Sequence, residues 1–427
     1  MPIRNLIRTS KSFISNNFNF RRVATSGVPS RDEKLPTVPA APAAIPLYEI
    51  ILKLPNLFPR TLKESLNDYH DFHKDIDKFQ TELLSTLPYY PMANDGKKAE
   101  LITTKVDDEG NYINEFCISP IGAEADQRDL KHLIFIHGYG AGLGFFLKNF
   151  EHLPLLDNKW CIHAIDLPGY GYSKRCEFPF KYPEHDISDV QDWFHKRIRT
   201  WFKARSLLTT PENNMIMAHS LGAYLMALYI DKFPNDFKKI VMCSPAGICQ
   251  SSTSEEIGNI KTPWWFNKLW DQNVSPFTLV RNTYYLGSKL TSGWSYRRFK
   301  QLKQSGHLMQ FEKLHRYAYS IFNQKGSGEY ILGFALKCGG DPRIPLEDNL
   351  FKSPKTEGIP KSDCEWLWVY GEKDWMDIGG GKRVTDELVT RFGKKSSTTV
   401  VPDSGHHLYF DNYKFFNELL VKEMKNM

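Results

Sequence analysis

Six short apolar runs are spread along the chain from residue 132 onward: His132–His137, Cys161–Ile165, Asn214–Met217, Lys239–Cys243, Glu365–Tyr370 and Thr398–Val401. Each has the length of a buried strand, and helical spacing of apolar positions fills the intervals, most clearly over Leu221–Ile230. Strands that are apolar on both faces and alternate with helices predict an α/β chain, a mostly parallel sheet with helices on both faces. Ala99–Thr104 and Tyr112–Ile118 read as an opening strand pair around the turn-rich Asp107-Asp108-Glu109-Gly110-Asn111. The alternation lapses between Ser244 and Cys364, where helical pattern dominates. A large helical lid insertion between the sixth and seventh strands is therefore expected, over the carboxyl edge of the sheet where ligands bind. Thr61–Leu84 reads as helix. Leu47–Phe58 is apolar and interrupted by Pro55, an interfacial segment or a docking arm.

The amino-terminal pattern is different. Residues 1–31 carry Arg4, Arg8, Lys11, Arg21, Arg22 and Arg31 with no acid, and Ile3, Leu6, Ile7 and Ile14 share one helical face. Amphipathic, Arg-rich, Ser-containing and acid-free is the composition of a mitochondrial transit peptide. Residues 28–46, rich in Pro and Ala, read as a linker. The expected organisation is a transit peptide over 1–31, linker and helical segment over 32–94, core over 95–250, lid insertion over 251–363 and core again over 364–427.

Composition narrows the class. The 427 residues are 41% hydrophobic and 14% aromatic, with a formal net charge of +6. That charge is modest, and no zinc-type spacing, aromatic RNA-binding signature or DNA-reading basic helix is present, so no nucleic-acid partner is expected. The seven cysteines are scattered with no Cys-x-x-Cys and read as buried free thiols. No apolar run reaches the roughly 18–20 residues of a membrane span, so any membrane contact is expected to be peripheral.

The candidate chemistry sits at strand ends. Ala218-His219-Ser220-Leu221-Gly222 joins a strand to a helix, the setting of a nucleophile elbow with alanine in place of the first glycine. Such a turn exposes the Ser220 hydroxyl and aims the helix's free N–H groups at what it attacks. His137-Gly138-Tyr139-Gly140-Ala141-Gly142 follows another strand, and its glycines let backbone approach a ligand. The amides of Tyr139 and Leu221 are the expected oxyanion hole, with His137 bracing the loop. Asp166, at the next strand end, is expected to be structural. An unactivated serine needs a base and an orienting carboxylate. Gly405-His406 after the last strand supplies the base, with His407 the fallback. Asp374 supplies the acid, with Asp377 the second choice, and Glu372 is expected at the surface. The chemistry requires no metal and no cofactor.

Serine, aspartate and histidine in that order resemble the α/β-hydrolase family. Within it, the His137–Gly142 turn, Ser220-Leu221-Gly222 and His406-x4-Asp411 are similar to a lipid-active branch. That branch includes a lipase co-activator, its lysophospholipase relative and the fungal mitochondrial cardiolipin-specific deacylases. The resemblance covers roughly residues 95–427. It implies an acyl-ester hydrolase acting on cardiolipin, peripheral on the matrix side of the inner mitochondrial membrane. It also implies two alternatives. One is a lysophosphatidic acid acyltransferase working through the His406–Asp411 pair, and the other is a non-enzymatic co-activator. Residues 251–320 add ten basic side chains against four acidic, interleaved with aromatics such as Trp264, Trp265, Trp294 and Tyr296. A basic, aromatic lid suits a lipid substrate on an anionic phospholipid membrane surface.

Overall fold

The structure, a computed structural model, describes residues 56–122, 130–249, 268, 270–272, 274–338 and 340–427. The expectations for residues 1–55 and for Trp264 and Trp265 lie outside the described residues. Eight strands form one sheet in the order β1-β2-β4-β3-β5-β6-β7-β8. They are β1 Lys97–Lys105, β2 Tyr112–Pro120, β3 Lys131–Ile136, β4 Trp160–Ile165, β5 Asn214–His219, β6 Lys239–Cys243, β7 Glu365–Gly371 and β8 Ser396–Val401. β2 pairs antiparallel with β1 and β4, and every other pairing is parallel.

The helices that matter are α1 Leu62–Lys74, α2 Asp77–Leu84, α3 Ile187–Ala204, α4 Leu221–Lys232, α5 Pro276–Asn282, α6 Gly287–Arg298, α7 Leu308–Asn323, α8 Ile378–Thr390 and α9 Tyr413–Lys425. The segment read as one helix over Thr61–Leu84 is two. Thr61 caps α1 in a capping box with Glu64, and Asp75 ends it in extended backbone. None of the described helices is long and apolar enough to cross a membrane.

Strand alternation divides the core into two layers. Leu133 and Phe135 of β3, Met215 and Met217 of β5, and Val241 of β6 face one layer with α2, α7 and α9. Ile134 and Ile136, Ile216 and Ala218, and Ile240 and Met242 face the other with α3, α4 and α8. Each central strand is thus apolar on both sides, the physical origin of the continuous apolar runs.

The described part of the insertion between β6 and β7 is mostly helical. Part of its basic excess is paired with acids. Arg281 pairs with Glu329, and Arg298 with Asp411. Arg316 reaches Asp68, Asp71 and Glu82, and Lys313 also reaches Glu82. All of these acids lie outside residues 251–320, so a count over that window misses them. The aromatics divide too. Phe277, Trp294, Tyr296 and Phe299 pack on the core, whereas Tyr284 and Tyr285 are exposed.

Candidate active site

The elbow is built from β5, β6 and α4. Ser220 sits at φ 52° and ψ −115°, in the left-handed half of backbone space that a serine rarely adopts. The turn is held on both sides. The Ser220 amide donates to the Cys243 carbonyl at 2.9 Å, and its own carbonyl accepts from Tyr224 and Ala246. Gly222 has no room for a side chain, because a Cβ there would lie 2.4 Å from the His137 carbonyl oxygen. The amino end of α4 therefore presses against the end of β3.

His406 completes the approach. Its Nε2 lies 3.0 Å from Ser220 Oγ and its Nδ1 lies 3.2 Å from Asp374 Oδ1. The carboxylate draws the ring proton to Nδ1, which leaves Nε2 as acceptor for the serine hydroxyl. Burial opposes the Asp374 charge. The hydrogen bond and charge of His406, with the Ser244 hydroxyl and the Met376 amide, outweigh burial and hold its carboxyl below the usual range. Asp377 does other work. Its Oδ1 accepts from the Gly379 amide at 2.8 Å as the N-cap of α8. His407 is half-buried beside His219 and Tyr409, and desolvation pushes its imidazole well below its ordinary pKa.

The His406–Asp411 pair shares a loop without sharing a hydrogen bond. Asp411 Oδ2 accepts from the Gly405 amide at 3.0 Å and Oδ1 from Arg298 Nη1 at 2.7 Å. Asp411 thus holds the backbone that carries His406 and ties it to lid helix α6.

The glycine-rich loop meets the elbow directly. A Cβ on Gly138 would lie 2.8 Å from the Ser220 Cβ, so Tyr139 follows backbone already in contact with the nucleophile. Leu221 opens α4, so its amide has no acceptor within the helix. His137 braces this loop through Nδ1 to the Gly138 carbonyl at 2.8 Å and Nε2 from the Leu167 amide at 3.0 Å. Asp166 accepts from the Leu143 amide, the Tyr172 amide and Asn114, each at 2.8 Å. It pins the loop from below. Glu372 lies at the surface and accepts from the Asp403 amide.

The lid closes over this loop. Phe277 of α5 stacks on Tyr139 with ring centres 5.5 Å apart, and Tyr317 of α7 accepts from the Gly144 amide. The cavity beside Tyr139, lined also by Trp270, Glu329 and Tyr330, measures about 20 Å³. That is room for one water.

Three residues of the site were not singled out by sequence. His219, neutral because burial pushes its pKa well down, donates from Nε2 to the His406 carbonyl at 2.9 Å. Arg298 holds Asp411. Trp375 is 64% exposed with its ring 4.9 Å from the His406 ring, open to a substrate. Only Trp375 had a local signal, an aromatic directly after Asp374.

A serine, a histidine and a buried carboxylate in this relay, beside two backbone amides, can open an ester by acyl transfer to serine. The model of the alpha/beta hydrolase fold family matches residues 131–413, and the chain belongs to that family. Two relatives carry the names of lipid-acting enzymes. It is 28% identical over 287 residues to a 1-acylglycerol-3-phosphate O-acyltransferase of Arabidopsis thaliana, a match covering 66% of this chain and 63% of that protein. The chain thus spans less than two thirds of that relative's length. It is 24% identical over 318 residues to the (lyso)-N-acylphosphatidylethanolamine lipase of Mus musculus, covering 73% of this chain and 84% of that one. Among solved structures, a bromoperoxidase from Bacillus anthracis aligns with a TM-score of 0.50 at 15% identity, over 76% of this chain and all of that one. That likeness is one of fold.

Proposed function

We propose that the chain is a serine phospholipase that removes an acyl chain from an anionic phospholipid, converting cardiolipin to monolysocardiolipin and a fatty acid. The observation that carries this reading is the continuous relay Ser220–His406–Asp374. Ser220 Oγ attacks the ester carbonyl while His406 Nε2 takes its proton, and Asp374 stabilises the imidazolium. The Tyr139 and Leu221 amides hold the oxyanion. His406 then protonates the departing lysolipid oxygen. Water, deprotonated by the same histidine, releases the fatty acid from Ser220. The basic, acid-free residues 1–31 support a mitochondrial address, at the matrix face of the inner membrane.

A second reading follows from the acyltransferase name of the Arabidopsis relative. The same acyl-enzyme could be opened by the hydroxyl of lysophosphatidic acid instead of water, or the acyl group could pass directly from acyl-CoA. The hydrogen bonds of Asp411 to Gly405 and Arg298 favour the route through Ser220, because they leave Asp411 off the imidazole. A purely non-enzymatic co-activator has no use for the relay.

The test is incubation of the purified protein with mixed mitochondrial lipids, followed by mass spectrometry. Cardiolipin should fall while monolysocardiolipin and free fatty acid rise, and Ser220→Ala should stop both. A product from acyl-CoA and lysophosphatidic acid that survives Ser220→Ala would support the direct acyltransferase instead.

A further inference from the structure

Fifteen large apolar side chains are exposed among the described residues, and six of them come from segments that meet beside the lid: Leu57, Leu62, Leu66, Leu279, Tyr284 and Tyr285. Ser65 ties α1 to the Tyr284–Lys289 segment, which follows directly on α5 and Leu279. Its Oγ donates to the Tyr285 carbonyl at 2.6 Å and accepts from the Lys289 amide at 2.9 Å. Lys289 Nζ in turn donates to the carbonyls of Phe58 and Arg60. Leu62 and Leu66 are one helical turn apart on α1, and Leu279 lies on α5. Leu62, Leu279 and Tyr284 are 57%, 62% and 65% exposed, so this face leaves whole side chains in water. A monomeric protein seldom carries such a concentration without a use for it.

Lys63, His70 and Lys74 of α1 are exposed on the flank next to Leu62 and Leu66. The acids of the same helix lie on the other flank, where Asp68 and Asp71 both bind Arg316 and Glu64, itself exposed, closes the capping box with Thr61. The result is a leucine and tyrosine face with a basic border, the composition that suits the headgroup level of an anionic bilayer. α5 joins this face to the chemistry. Leu279 points into solvent, while Phe277, two residues earlier, covers Tyr139 and Gly140 of the oxyanion loop.

We propose that this face docks on an anionic phospholipid bilayer, and that docking through Leu279 draws Phe277 off the oxyanion loop. The proposal rests on the lipid-hydrolase reading and supplies its membrane-facing surface.

The experiment uses the full chain and vesicles of ether-linked lipids, which carry no acyl ester to cleave. Flotation compares phosphatidylcholine with phosphatidylcholine–phosphatidylglycerol vesicles. Hydrolysis of a water-soluble butyrate ester is followed with and without the same vesicles. Wild type should bind the phosphatidylglycerol vesicles and hydrolyse the soluble ester faster in their presence. Leu62→Ser with Leu66→Ser, and separately Leu279→Ser with Tyr284→Ser, should weaken vesicle binding by roughly tenfold or more and remove the stimulation. The basal ester rate should stay at the wild-type value, which also reports correct folding. Val389→Ser, at an exposed apolar residue on α8, should change nothing.

Wild-type binding by both leucine and tyrosine variants would overturn the docking surface, as would equal binding to neutral vesicles. A change from dimer to monomer in the variants would assign the face to a second copy and overturn it too. Binding without stimulation would overturn the link to Phe277. A wild type that binds vesicles yet never hydrolyses the soluble ester would count against the triad reading and leave the docking result standing.

Discussion

Among the described residues, two histidine–carboxylate pairs lie within hydrogen-bond distance. At the carboxyl edge of the sheet His406 meets Asp374 at 3.2 Å. Between β2 and β4 His163 meets Glu115 at 2.7 Å, a shorter contact. Both carboxyls are held below their usual range against the cost of burial, chiefly by the histidine each one faces. The difference lies in what the remaining atoms touch. His406 turns its second nitrogen to Ser220, and besides the imidazole Asp374 keeps only the Met376 amide and the Ser244 hydroxyl beside it among the described residues. His163 gives its second nitrogen to His132 at 3.0 Å, and Glu115 Oε2 is taken by Trp201 and Arg205. A cavity of about 530 Å³ opens beside the second pair, far larger than the space beside Tyr139. Neither burial, nor a short contact, nor cavity size therefore marks the reactive pair. A nucleophile forced by its backbone against the free imidazole nitrogen does.

Substitutions should separate the two pairs sharply. Ser220→Ala or His406→Ala should lower the ester-hydrolysis rate by on the order of 10⁴-fold or more. The double variant should be hardly slower than either single one, as single-turnover kinetics would show. Asp374→Asn should cost up to roughly 10⁴-fold through the wrong tautomer, whereas Asp377→Asn should change the rate little and weaken only the cap of α8. A rate loss for Asp377→Asn as large as that for Asp374→Asn would break the assignment of the acid.

Asp411→Asn and Arg298→Gln should each slow kcat by roughly tenfold with little change in KM, since small misplacement of a catalytic group is expensive. The two should not be additive, because they remove one link. At the other pair the effect should move from rate to stability. Glu115→Gln leaves Arg205 and His163 facing a neutral group, and should cost about 2–4 kcal/mol in urea unfolding with the ester rate per folded molecule unchanged.

Acid should act on stability more gently and over a broader range. Burial pushes His132 down to about 3 and His195 down to about 4, and holds His219, His315 and His407 well below the ordinary value. The unfolded chain protonates these groups near pH 6.5 while the folded one keeps them neutral. Stability should therefore be complete above about pH 6.5 and fall as the pH drops toward 4. Asp374 and Glu115 add to the loss at lower pH, as their carboxyls protonate through folded values below the ordinary ones. Thermal melts across that range would sharpen the point, and a melting temperature flat from pH 7 to pH 4 would contradict it.

Much of this was legible before any coordinates. Strands buried on both faces wrote themselves as apolar runs, and the three catalytic candidates sit at strand ends, where position follows from the strand. Asp374 and Asp377 could not be separated by sequence, because only the start of α8 makes Asp377 a cap. Asp411 is paired with His406 only by the resemblance, and no spacing records the side-chain direction that places it on the Gly405 amide. His219 acts on a residue 187 positions away and Arg298 on one 113 away. No local pattern records such contacts. Part of the basic excess of the lid is paired from afar in the same way, since α1 and α2 supply acids to Arg316 and Lys313.

The central claim is that strain at Ser220 and the free nitrogen of His406 together make one reactive pair. A fluorophosphonate probe, with the modified residue located by peptide mass spectrometry, tests this directly. The account predicts a single adduct on Ser220 in the wild type, lost in His406→Ala and kept in Glu115→Gln. Labelling of Ser220 at the wild-type rate in His406→Ala, or no label on Ser220 in the wild type, would contradict it.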